Sequence, residues 1–250
     1  MGAFGAILYR EGKIRATNLT FIFWDLFYPL GYLLVFGVGM TQAMNLTAGA
    51  GLDYNSFFLA GVLGMASFGI ASNTAWGFFM DRDNGIFYEM LTYPMTRAQY
   101  LLGKVLFNLV IAVGQAAITV ALAAAWLSVP VQWSRLPILT AAVIVGTGGW
   151  FFFYAMFALI IRRNDAFNTV TSVFYFVFLF ASSMFYPVDP LPTPFRQIAL
   201  ANPITWQVDT LRFATIGVGD PSTIAIEAAA FQAFTLVAFA GALWALRRQE

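Results

Sequence analysis

Among its 250 residues the chain has no cysteine and no histidine, and only 10% of its residues are charged. Without Cys there is no disulfide, no thiolate nucleophile and no zinc-thiolate site. Without His the commonest general base and the commonest metal ligand are missing as well. Soluble domains carry roughly 25% Asp, Glu, Lys and Arg, because a hydrated surface needs them. Thirteen basic residues against twelve acidic ones leave a net charge of +1, which is no footprint for nucleic acid. What is present in quantity is apolar: 60% of the chain, with a mean hydropathy of +0.74. A chain this apolar would expose large sticky patches in water, so the natural solvent is a bilayer.

Stretches free of Asp, Glu, Lys and Arg run over 26–52, 57–80, 105–134, 136–161, 166–188 and 228–246. A helix needs about 20 apolar residues to cross a hydrocarbon core of roughly 30 Å. A transmembrane barrel would show alternating segments of about 10 residues, which these are not. The pattern predicts an all-α integral membrane protein forming a single transmembrane domain over 1–250. Its six transmembrane helices fall at about 19–41, 57–79, 104–127, 137–161, 167–187 and 226–246. Over 1–18, Phe4, Ile7, Leu8 and Ile14 gather near one helical face, with Arg10, Lys13 and Arg15 elsewhere. That pattern predicts an interfacial helix lying on the membrane. With the N-terminus inside, ten of the thirteen basic residues fall in cytoplasmic segments, so both termini are expected in the cytoplasm.

The loop "DRDNGIFYEMLTYPMTRAQYLLGK", residues 81–104, is too long for a simple turn. Asn84-Gly85 interrupts the preceding span, and Ile86, Phe87, Met90 and Leu91 then form an apolar stripe. Tyr93-Pro94 ends that short helix, and Thr96 stands where the next helix needs an N-cap. Nearer the end, Asn202 is a good N-cap, Pro203 suits the first helical position, and Gly217 is placed to stop the helix. Asp209 and Arg212 are spaced for an i, i+3 pair. A capped helix of about fourteen residues is therefore expected on the outer side.

Two motifs carry a resemblance. Asp81, Asp83, Gly85, Glu89, Leu91, Pro94, Arg97, Gly103 and Lys104 resemble the coupling-helix region of ABC-2 type transporter permeases. Pro192, Arg196, Asn202, Pro203, Thr205, Trp206, Asp209 and Arg212 resemble that family's segment before its last span, with Trp206 in place of an expected Tyr. The resemblance implies a permease subunit of an ATP-binding cassette exporter in the cytoplasmic membrane of a prokaryote. It implies short outer-leaflet helices over 188–217, a coupling region over 81–97, and outward movement of an amphipathic small molecule, lipid or glycolipid. Asp81, Asp83, Gly85, Glu89, Pro94 and Arg97 would couple the ATPase subunit. Asn202, Pro203, Trp206, Asp209 and Arg212 would form an outer gate helix.

No Gly-x-x-x-x-Gly-Lys-[Ser/Thr] sequence occurs, so the chain cannot hydrolyse ATP by a P-loop and is not expected to be an enzyme. It has no catalytic residue, metal site or cofactor of its own to offer. The resemblance places ATP and Mg on a separate P-loop nucleotide-binding ATPase subunit and implies a second permease chain, identical or not. By the same resemblance, spans two and five would line the pathway through Ser67, Asn73, Thr74, Asn168, Thr171 and Ser172. Polar residues in a span face protein or a cavity, although small ones serve close helix packing equally well. The alternative is a secondary transporter or channel working without ATP, for which Asp25, the one acid well within a span, would be the coupling site.

Overall fold

The computed structural model describes residues 3–18, 20, 23–44, 47–48 and 52–248. Expected positions 1, 2, 19, 21 and 22 lie outside the described residues. The chain is helical almost throughout. It begins with α1 (Ala3–Thr17), followed by α2, residues 23–44. α2 is irregular: π-helical turns at Phe23–Phe27 and Leu33–Val38 flank an α-helical stretch, Tyr28–Tyr32. Pro29 has no N–H to give the carbonyl of residue 25, and the turn just before it widens accordingly. A two-residue ribbon, Thr47 opposite Asp53 and Ala48 opposite Leu52, closes the turn into α3 (Tyr54–Asp83).

The remaining helices are α4 (Ile86–Met90), α5 (Arg97–Trp126), α6 (Leu136–Ile160), α7 (Asn164–Phe180), α8 (Thr193–Ala201), α9 (Pro203–Ile216) and α10 (Pro221–Arg247). Among the described residues five helical stretches are long and apolar enough to cross a membrane: Phe23–Thr41, Tyr54–Asp83, Arg97–Trp126, Trp133–Ile160 and Pro221–Arg247. The fifth expected span, 167–187, differs. Its helix has 17 residues and stops at Phe180, and non-helical chain follows to the start of α8. The stop has a physical cause: Asn202 donates its side-chain amide to the carbonyls of Phe178 (2.8 Å) and Ala181 (2.6 Å). Those are orphan acceptors at a helix end, and a partner 24 and 21 residues away satisfies them.

α3 is the central helix, buried along most of its length against α5, α6 and α9. The core is aromatic. Phe68 of α3 meets Trp150 of α6 at 4.6 Å between ring centroids, and Phe178, Phe231 and Phe234 close around Trp150. The Trp150 indole N–H, which must find an acceptor when buried, donates to Gln207 Oε1 at 2.7 Å and so ties α6 to α9. α7 is attached more loosely: only Phe167 and Leu179 are buried, while Phe176 and Phe180 stay exposed.

Candidate functional site

At the end that carries α4, the buried face of α1 is Ile7, Glu11 and Arg15, not the apolar stripe the sequence suggests. The reason lies on other helices. Lys104 of α5 donates to Glu11 at 2.9 Å and to Asp81 of α3 at 2.7 Å. Arg10 reaches Asp81 at 2.7 Å, and the Tyr100 hydroxyl donates to the same carboxylate at 2.5 Å. Burial disfavours the Arg10 charge, but the Asp81 contact outweighs it and holds the guanidinium above its ordinary pKa. One turn further on, Arg15 contacts Asp25 and Asn108, and Asn73 donates to Asp25 at 3.2 Å. Burial pulls the Arg15 guanidinium down to about 10, against the pull of Glu11. Gly103 is what lets α1 lie so close: a Cβ there would stand 2.9 Å from Ile7 Cγ2.

From this braced base projects α4. Gly85, at φ +79°, takes the left-handed turn that leads the chain out of α3. Phe87 then folds back inside, fully buried, against Phe78 (5.5 Å) and Tyr100 (5.4 Å). That anchor leaves Asp83, Tyr88, Glu89, Tyr93 and Pro94 exposed on one protruding surface. Thr96 caps α5 with a full capping box, accepting from Gln99 N at 3.2 Å while Gln99 Oε1 accepts from Thr96 N at 2.9 Å. Of the six residues expected to couple the ATPase, Asp83, Gly85, Glu89 and Pro94 are exposed. Asp81 is buried in the ion cluster, and Arg97 is half-buried, reaching the Leu246 carbonyl. Arg82, which the sequence reading did not single out, is buried and caps the last carbonyls of α6, Leu159 at 2.8 Å and Ile161 at 2.5 Å. Only its place beside two acids in a loop rich in charge could have drawn attention to it.

At the opposite end, α9 starts on Asn202, whose Oδ1 accepts from Ile204 N at 3.0 Å, continues through Pro203, and ends on Gly217 in a left-handed turn. Asp209 and Arg212 pair as their spacing requires. Ser183 joins them: its hydroxyl donates to Asp209 at 2.8 Å, and its carbonyl accepts from Arg212 at 2.9 Å. Arg212 also lies over the Phe57 ring at 4.1 Å. Trp206 is half-buried and donates to the Leu200 carbonyl at 2.7 Å, which joins α9 to α8.

The polar residues expected along the pathway separate into two sets. Thr74 returns its hydroxyl to the Ile70 carbonyl at 2.6 Å, Ser67 is buried, and Asn168 bonds Asn164 at 3.0 Å; these border neither of the two cavities that the others line. Asn73 borders a cavity of about 270 Å3 between α2, α3 and α7, with Trp24, Asp25, Tyr28 and Ser72. Thr171 and Ser172 border a second, of about 340 Å3, with Phe176 and Phe180. The two cavities share Ser72 and Tyr175. Ser72 escaped the sequence reading, although it follows Met65 and Gly69 at helical steps and so shares the face of Asn73.

Apolar spans, a buried charge brace at one end and a capped helix at the other define a multi-pass α-helical membrane protein. The chain belongs to the ABC-2 type transporter family, whose model matches residues 2–215. No curated protein matches it significantly.

Proposed function

We propose that this chain is the permease subunit of an ATP-binding cassette exporter that moves an amphipathic small molecule, lipid or glycolipid outward across the cytoplasmic membrane. The observation that carries the reading is the α4 surface. A five-residue helix is pinned by Phe87 to the bases of α3 and α5 and exposes Tyr88 and Glu89, with Asp83 exposed before it and Tyr93 after it. A fully buried aromatic anchor makes such a protrusion rigid, so force applied there reaches two spans at once. The partner that applies it is a separate P-loop nucleotide-binding subunit carrying ATP and Mg, with Glu89 meeting a basic groove. Both termini then lie in the cytoplasm.

A second permease chain completes the pathway. The exposed face of α7 carries Asn168 and Ser172 among Val173, Phe176 and Phe180. Lipid tails offer nothing to an amide or a hydroxyl, whereas a second copy facing an aqueous route does. Substrate would enter along the cavities shared by Ser72 and Tyr175. α9, held through Arg212 and Asn202, would close the outer end and open for release. Proton coupling through Asp25 finds less support, because Arg15 and Asn73 already engage that carboxylate. Charge reversal, Glu89→Lys, tests the assignment. It should abolish assembly with the ATPase subunit and ATP-coupled transport while leaving the folded permease intact; unchanged assembly would count against it.

A further inference from the structure

α6 and α10 run side by side in the same direction. Gly149 of α6 makes room for Thr235 of α10, and the rings of Phe152 and Phe239 meet at 4.8 Å. Further along, Gly241 passes Met156, whose Sδ would lie 2.7 Å from a Cβ there. From that contact, equal steps along the chain lead to Arg162 after α6 and to Arg247 at the end of α10. Each is followed at once by a second arginine, Arg163 and Arg248. Two neighbouring apolar spans therefore leave the membrane together, each on a pair of arginines, and all four are exposed.

Basic side chains at a helix C-terminus ordinarily serve its unpaired carbonyls. Here other residues do so. Arg82 donates to the Leu159 and Ile161 carbonyls at the end of α6, and Arg97 to the Leu246 carbonyl at the end of α10. Among the described residues none of the four terminal arginines forms an ion pair or a side-chain hydrogen bond, and Arg248 lies over the Trp244 ring at 4.0 Å. Across 158–168 and 242–248 the sequence offers them one acid, Asp165. Like charges gathered at one level repel, and an anion that guanidinium forks can share relieves that repulsion. On the membrane side of the arginines, Ile160 and Trp244 are half-exposed, so apolar and aromatic surface adjoins the charge. A soluble anion would use the charge alone, whereas an anion carrying acyl chains would use both surfaces.

We propose that the paired arginines at the shared end of α6 and α10 form a head-group site for an anionic phospholipid. Guanidinium forks hold its phosphodiester, and its chains lie along Ile160 and Trp244. The site requires that both helices cross the bilayer; it does not rest on the exporter reading or on the direction of transport.

The test places the full chain in phosphatidylcholine nanodiscs that contain some phosphatidylglycerol bearing a photoactivatable group beside its phosphate. Labelled peptides are mapped by mass spectrometry after illumination. Labelling should concentrate in 157–168 and 240–248, and unlabelled phosphatidylglycerol should suppress it where extra phosphatidylcholine does not. Arg162→Gln with Arg163→Gln, and separately Arg247→Gln with Arg248→Gln, should each lower the labelling of both segments about fivefold or more, the factor a single basic residue near a membrane surface contributes. Lysine at all four positions keeps the charge that orients the spans, and should label the same segments more strongly than either glutamine variant. A yield no better than theirs would overturn the site. So would a loss confined to the mutated segment, which means two unconnected charged ends, or labelling spread evenly over the other basic residues of the chain. Displacement by glycerol phosphate would assign the arginines to a soluble anion instead of a lipid. Unchanged labelling in both glutamine variants, whatever becomes of their assembly with another protein, also overturns the proposal.

Discussion

Lys104 shows how few residues hold the charge brace at the α4 end together. Its side chain is only 4% exposed, and its ammonium is shared by Glu11 and Asp81, which sit on two different helices. Replacing it by Met leaves two buried carboxylates to share Arg10 as their one cation, and removing one partner of a buried ion pair costs up to about 3–5 kcal/mol. Lys104→Met should therefore lower the melting temperature of the detergent-purified chain markedly. The double variant Lys104→Met with Asp81→Asn should recover part of the loss, because the charges act as one network. Gly103→Val tests the same joint through packing: its side chain enters the space of Ile7, and α1 must move off α5. Gly103→Val should therefore lower the melting temperature as well, and an unchanged melting temperature would show that this close approach does not hold α1 in place. None of this brace is legible from residues 1–18 alone. Arg10 and Glu11 of α1 are explained by Asp81 and Lys104, 71 and 93 positions away, and no local periodicity reports them.

The helical elements show where sequence suffices and where it does not. The Thr96 capping box, the Asn202 cap, Pro203 and the Gly217 stop are local chemistry, and each can be read from its own few residues. The α4 anchor is intermediate: the stripe of Ile86, Phe87, Met90 and Leu91 shows an apolar face, but not that Phe87 alone is fully buried. The end of α7 could not be read at all. "ASSMFYP", 181–187, is apolar enough to continue a span, and the helix stops because Asn202 takes its last carbonyls. The same side chain thus starts one helix and ends another, and the two roles can be separated. Asn202→Ala should destabilise the chain by about 1–3 kcal/mol through lost donors and lost cap. Asn202→Asp keeps the acceptor for Ile204 N and loses the donors to Phe178 and Ala181. Hydrogen exchange should then rise at 178–183 in both variants and at 204–206 only in the alanine one. Equal exchange at 178–183 in wild type and Asn202→Asp would show that the cap does not set the end of α7.

At the scale of the whole molecule, one end carries α4 and the charge brace, and the other carries α9 with its Asp209–Arg212 pair. Residue chemistry distinguishes the ends, and the absence of cysteine makes the distinction measurable without preparing a background. Single cysteines at Tyr88 and Thr92 should resist a membrane-impermeant maleimide applied to intact cells, and those at Asp189 and Ser222 should react. The reverse labelling would invert the proposed direction of the permease. The sequence's apolar stretches and its coupling-loop motif made the family legible, while which polar residues border the cavities depended on helix rotation. Ser72 and Tyr175 line both cavities, and Ser67 and Thr74 line neither. The measurement closest to the central claim is mild-detergent purification of the tagged chain from its native membranes, wild type beside Glu89→Lys, assayed for vanadate-sensitive ATPase activity. A P-loop subunit should co-purify with the wild type together with that activity, and both should be lost in the charge-reversed variant. A chain that emerges alone and inactive in several detergents, or an ATPase that stays bound to Glu89→Lys, would contradict the account.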